Sequence, residues 1–168
     1  MTELTPSEKL QPCLLDRLTD NEPSRQKESR NQRVMTLRRY RQAVLRDLAW
    51  LLNTSAHAEQ DGLNEFEEVT SSVLNFGVHD ITGGSAVSRD SEQIRYQMIE
   101  ALRRFEPRIL PNSISIKIEV DPKTMSNRSI RFEIYGDLWS QPIPESLFIK
   151  TEVDLETGEC KLNRGING

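Results

Sequence analysis

Apolar residues follow a helical period through the first two thirds of the chain and a period of two after residue 111. Between Asp90 and Pro111 (DSEQIRYQMIEALRRFEPRILP), Ile94, Met98, Leu102 and Phe105 recur at spacings of four, four and three, with Ile99 beside them. That stripe predicts a helix from Asp90 to Phe105 with one buried face. Asp90 or Ser88 suits its start, Gln93 follows Asp90 by three residues, and Arg103 and Arg104 complement the negative C-terminal end. Pro107 stops the helix and pushes Glu106 toward extended backbone, so Glu106 and Arg108 can project to the same side of a rigid exit. On the residues alone, this exit is either a structural clasp or a contact site.

An earlier stretch, Val34–Asn53, places Leu37, Tyr40, Val44, Leu48 and Leu51 on one stripe, widened by Leu45 and Leu52, and predicts a second helix with Asn53 as its C-cap. Arg38, Arg39, Arg41 and Arg46 fall on its outer face, where solvation is the expectation. Nearer the start, Leu14, Leu15 and Leu18 of LLDRL make an apolar patch on a helical turn too short to be stable alone. It reads as a docking peptide or as a strap over the chain's own core. Thr19–Arg33 is polar and reads as a linker, Thr54–Asn64 as a loop around Gly62, and Val69–Gly77 as a short helix or turn leading to Phe76.

Past residue 111, Asn112–Val120 puts Ile114, Ile116, Ile118 and Val120 on one face, and Arg128–Tyr135 repeats the alternation with Ile130, Phe132 and Ile134. Asp121–Asn127 between them is turn chemistry, which predicts an antiparallel hairpin. Gly136–Glu145 reads as an irregular excursion with Trp139 capping the core, Ser146–Leu155 as a third strand, and Glu159–Leu162 as a short fourth. The expected fold is α+β, with N-terminal helices and the central helix packed on a small, mainly antiparallel sheet of three to four strands. The expected division is residues 1–33 as a docking segment and linker, 34–162 as a single α+β domain, and 163–168 as a flexible tail.

The formal net charge of −4 over 168 residues gives no electrostatic reason to bind nucleic acid or an anionic membrane. Cys13 and Cys160 lie far apart, which suits a reducing compartment and supplies no metal cluster. No export signal is evident, and no run of 18 apolar residues is present for direct membrane insertion. Gly83-Gly84-Ser85 before the central helix lacks the lysine spacing of a phosphate loop, and His79 near Asp80 has no companion at ligand spacing.

Several stretches taken together carry a resemblance. LLDRL, then LRRYRQAVLRDLAWLLN, then SSVLNFGVHDITG, and above all RRFEPRI followed by an alternating strand, resemble the TssE family of type VI secretion baseplate subunits. That family is similar to the small wedge protein of contractile phage baseplates, and the likeness runs in order from about Leu14 to Leu155. It implies a cytoplasmic, non-enzymatic part without cofactor, metal or catalytic residue, in a baseplate docked near the inner membrane. The partners implied are TssF, TssG and TssK in the wedge, and the sheath proteins built on it. Glu106, Pro107 and Arg108 match the triplet with which the family docks onto a bundle of other wedge subunits. The family's sheet resembles the interlocking domain of sheath subunits, so the first sheath ring would add strands to it. On this view Arg108→Ala leaves the fold nearly intact and weakens assembly, while Leu14, Leu15 and Leu18 supply a second contact through a flexible linker.

The same family has carried a lysozyme-like label, which makes a peptidoglycan-cleaving hydrolase the alternative. Such chemistry needs two carboxyls about 5–9.5 Å apart beside a sugar cleft. Glu106 is one candidate, but Arg103, Arg104 and Arg108 beside it make a poor setting for a general acid, and no second carboxyl stands out. No G-x-S-x-G elbow is present for serine chemistry.

Overall fold

The computed structural model describes residues 10, 12–19, 23–24, 35–57, 62–79, 88–119, 129–140 and 143–164. Among these, helices α1 (Leu14–Leu18), α2 (Leu37–Leu52), α3 (Glu67–Ser71) and α4 (Ser88–Phe105) precede strands β1 (Ser115–Glu119), β2 (Ser129–Leu138), β3 (Glu145–Asp154) and β4 (Cys160–Arg164). The strands make one antiparallel sheet in the order β1-β2-β3-β4, so the fold is α+β. Gly83–Ser85, the Asp121–Asn127 turn, most of the polar linker and residues 165–168 lie outside the described residues.

Both helical stripes face the sheet. Val44, Leu48, Leu51 and Leu52 of α2 and Ile94, Met98 and Leu102 of α4 are buried against Ile116, Phe132, Ile134, Leu147, Ile149 and Val153. Helix α4 lies over the β1 side of the sheet and α2 over the β4 side. Fully burying an aliphatic or aromatic side chain of this size is worth roughly 1.5–3 kcal/mol, so the matched periods of helix and strand are the main source of the fold's stability. Leu10 also joins this core, although it falls in the segment that the sequence pattern sets apart for docking.

Local chemistry sets the helix ends. Thr36 caps α2 by accepting from the Arg39 amide at 3.3 Å. At the other end Asn53 does more than cap. Its Nδ2 donates to Ala49 O at 2.8 Å and Cys160 O at 2.9 Å, and its Oδ1 accepts from Cys160 N at 2.9 Å. One amide therefore ends α2 and engages the backbone at the first residue of β4. Gly77 joins the loop after α2 to the chain before α4. It has φ 138°, and an added Cβ would lie 2.3 Å from Thr54 O, so neither the dihedral nor the space admits a side chain.

Four local expectations are corrected. Strand β2 continues to Leu138 instead of ending at Tyr135, because the alternation persists through fully buried Leu138, and the irregular excursion shrinks accordingly. Trp139 does not cap the core: it is 45% exposed, and Leu138 and Ile109 occupy that end of the core. Leu37, at the first residue of α2, is exposed and stands off the stripe. Strand β4 runs to Arg164, two residues into the expected tail. Val69–Gly77 becomes the end of α3 and a 3-10 turn at Val73–Asn75, with Phe76 edge-on to Phe105 at 5.3 Å.

Candidate docking site

The C-terminal end of α4 is stitched to the extension of β2. Glu106 N still donates to Leu102 O at 3.0 Å, and after Pro107 the chain runs alongside the strand. Trp139 N donates to Arg108 O at 2.7 Å, Leu110 N to Asp137 O at 2.8 Å, and Asp137 N to Ser113 Oγ at 2.7 Å. Ile109, between them, is 1% exposed and packs over Gly136, where a Cβ would come within 2.8 Å of its Cγ2. The exit is therefore fixed by backbone bonds on one side and by a buried anchor on the other.

Within this frame Glu106 is 3% exposed, and both carboxylate oxygens are engaged. Oε1 accepts from the Arg108 amide at 3.2 Å and from Arg108 Nε at 2.6 Å, and Oε2 accepts from Arg108 Nη2 at 2.5 Å. Proline between the pair holds the two side chains at the separation this fork requires. The same Nη2 reaches Asp47 Oδ2 on α2 at 2.7 Å. Asp47 Oδ1 accepts from Arg46 Nε at 2.8 Å, and Arg46 Nη1 donates to Asp16 Oδ1 on α1 at 2.6 Å. Charges thus alternate along one continuous ladder, Glu106, Arg108, Asp47, Arg46, Asp16, across three elements.

The ladder accounts for the titration shifts. Burial works against the Arg108 charge, but the hydrogen-bonded carboxylates of Glu106 and Asp47 outweigh it and raise the guanidinium above its ordinary value. Arg46 is raised chiefly by its bond to Asp16. Burial pushes the Asp16 carboxyl up, but hydrogen bonds from Arg46 and Cys13 prevail, and it lies below the usual range.

Exposure rises from Glu106 to 35% of the side-chain surface at Arg46 and falls again to 13% at Asp16. Arg108 and Asp47 keep 21% and 22% of their side-chain surface, and Trp50 and Trp139 stand 50% and 45% exposed at the ladder's border. Trp50 lies beneath the Arg46 guanidinium at 5.2 Å, and the Trp139 amide is bonded to the Arg108 carbonyl. Leu14, Leu15 and Leu18 point outward at 70%, 44% and 73% exposure, and no residue of α1 is buried. The structure thus brings Glu106, Pro107 and Arg108 into one rigid exit, with Leu14, Leu15 and Leu18 on a helix joined to it through Arg46 and Asp47.

Asp47 and Asp16 escape the sequence reading, and Arg46, expected on a solvated face, is instead the ladder's hub. One signal for Asp47 was present: it is the single acidic residue of α2, set among arginines.

A family model described as baseplate wedge protein gp25 matches residues 38–143, from the start of α2 to beyond β2. The chain belongs to the baseplate wedge family. No curated protein and no solved structure matches it. The match includes Arg46, Asp47 and the whole Glu106–Arg108 exit of this wedge protein, while α1 and Asp16 precede it. A structural role in a baseplate follows from the family. The geometry around Glu106 is that of a fixed ion pair, not of a general acid facing a substrate. A cavity of water size, lined by Leu52, Val78, Ile94, Met98, Val153 and Cys160, lies between α2, α4, β3 and β4. No helix among the described residues is long and apolar enough to cross a membrane.

Proposed function

We propose that this wedge protein is a TssE-type subunit of a contractile type VI secretion apparatus, acting in the cytoplasm within a baseplate docked near the inner membrane. It docks to the other wedge proteins, TssF, TssG and TssK, through the surface around Glu106, Pro107 and Arg108. The observation that carries this reading is a charged exit held immobile from within, whose outer atoms on Arg108 and Asp47 stay open to solvent, with half-exposed Trp50 against Arg46 and half-exposed Trp139 bonded through its amide to Arg108. Arginine and tryptophan beside a pre-ordered charge network supply what interface anchors require, and rigidity lowers the entropy lost on binding. In this arrangement Glu106 orients Arg108, and Arg108 meets the partner.

Sheath assembly is nucleated by strand addition to the sheet. Strand β1 is an edge strand, whereas β4, at the other edge, is already engaged at Cys160 by Asn53. This favours the β1 edge as the template for an incoming sheath strand.

A double variant, Glu106→Leu with Arg108→Met, tests the docking role. It removes both charges and leaves no unpaired buried carboxylate, so the isolated chain stays folded. Binding of the full chain to a purified TssF–TssG complex is expected to fall at least tenfold. Undiminished binding by a folded double variant refutes the docking role.

A further inference from the structure

Helix α1 has no buried residue and five positions in all, too few to hold its place by helix propensity. Upstream, Leu10 is anchored in the core. Along α1 itself, the polar contact to the body among the described residues runs through Asp16 and Cys13. Arg46 Nη1 donates to Asp16 Oδ1 at 2.6 Å, Cys13 Sγ donates to Asp16 Oδ2 at 2.9 Å, and Arg46 Nη2 lies 3.9 Å from that sulfur. The guanidinium is itself held from the other side, by Asp47 Oδ1 at 2.7 Å from Nη2 and by Trp50 at 5.2 Å beneath it. Its orientation is thus set by α2, and it presents one fixed donor to α1.

We infer that Arg46 is a positioning residue for docking: it seats α1 against α2 with Leu14, Leu15 and Leu18 turned outward, so that α1 and the Glu106–Arg108 exit present one surface to the wedge partner. The binding half of this inference rests on the docking role proposed above, and the seating half stands by itself. A planar fork serves Asp16 and Asp47 at once, which a lysine ammonium on a flexible stem cannot reproduce. Without the fork, the tether that remains for α1 among the described residues is Leu10. The leucines of α1 then have to be ordered by the partner at the moment of contact, which weakens binding without removing any group that touches the partner.

The two cysteines make the seating measurable in the full chain. Cys13 stands at the start of α1, half-buried beside Asp16, whereas Cys160 is 5% exposed with its thiol pushed by burial up to about 12. Cys160 is therefore silent toward dithionitrobenzoate at neutral pH, and the reaction reports Cys13. In Arg46→Gln, Cys13 is expected to react roughly tenfold faster, the scale of losing one charge-assisted hydrogen bond, with little change in melting temperature. Dithionitrobenzoate is a dianion, so removing the Arg46 cation disfavours its approach, and acceleration reads release of α1. Arg46→Lys is expected to fall between wild type and Arg46→Gln in both Cys13 rate and affinity for the purified TssF–TssG complex. An unchanged Cys13 rate in Arg46→Gln, or an acceleration that merely tracks lost thermal stability, overturns the seating role. Faster Cys13 reaction with unchanged affinity overturns the positioning role. The docking proposal fails separately, when the Glu106→Leu, Arg108→Met double variant binds as wild type.

Discussion

Truncating Arg108 to alanine is the substitution on which the structure departs furthest from the sequence expectation of a spared fold. Glu106 is 3% exposed, and its carboxylate is satisfied by Arg108: two side-chain bonds at 2.6 and 2.5 Å and one amide bond at 3.2 Å. Arg108→Ala removes both side-chain donors and leaves a buried carboxylate with the amide alone. Breaking a buried ion pair from one side costs about 3–5 kcal/mol. Arg108 is itself 21% exposed, so water enters the vacated space, and the lower end, about 3 kcal/mol, is the expected loss. For a domain of this size that corresponds to a fall in melting temperature of roughly 10 °C. The assay is urea unfolding followed by far-ultraviolet circular dichroism, with the slope unchanged and the midpoint lowered. Glu106→Leu with Arg108→Met, which leaves no orphaned charge, is expected to lie within about 1 kcal/mol of wild type. A loss below about 1 kcal/mol in Arg108→Ala, or a double variant less stable than the single, refutes the account of the exit as a buried clasp.

Three further outcomes follow from other parts of the molecule. Asn53→Ala removes a helix cap and both bonds to Cys160, and should cost about 1–3 kcal/mol by urea unfolding, with the β4 amides showing the largest gain in hydrogen exchange. Gly77→Ala places a Cβ against the Thr54 backbone at a φ of 138°, and an expected loss of about 3 kcal/mol or more would appear as a melting temperature lowered by roughly 10 °C. The Asp16 carboxyl is depressed in the folded chain, so its hold on α1 is fully present above the unfolded value of 3.8 and is lost as pH falls through the lower folded value. Leu14, Leu15 and Leu18 methyl resonances should sharpen below pH 4 and not between pH 5 and 8, with the core resonances unchanged at the onset.

What the sequence made legible was local. The four-four-three spacing of Ile94, Met98, Leu102 and Phe105 marks a helix, and the period of two from Ile114 onward marks strands, because each pattern reports a single buried face. The Glu106–Arg108 pairing was readable as one option, since proline leaves two residues of that spacing few other directions. The rest of the ladder joins residues that chain order separates: Arg108 meets Asp47 across 61 positions, and Arg46 meets Asp16 across 30. Those contacts follow from how α2 meets the end of α4 on one side and α1 on the other, and no window along the chain contains both partners. Arg46 looked like one of four solvated arginines because helical periodicity separates faces without saying what is laid over the outer one. Asn53 was recognisable as a cap, but its reach to Cys160, 107 positions on, is a product of the fold. The persistence of β2 to Leu138 was hidden by Gly136, whose missing side chain breaks the apparent alternation while making room for Ile109.

The exit at Glu106–Arg108 is proposed above as a rigid anchor for another baseplate wedge subunit. Titration calorimetry of the full chain into a purified TssF–TssG complex, with wild type and the Glu106→Leu, Arg108→Met double variant at matched folded concentration, tests it most directly. At least a tenfold loss of affinity is expected in a double variant whose stability stays near wild type. Wild-type affinity in that variant would contradict the anchor role and leave Glu106 and Arg108 as a clasp internal to the chain.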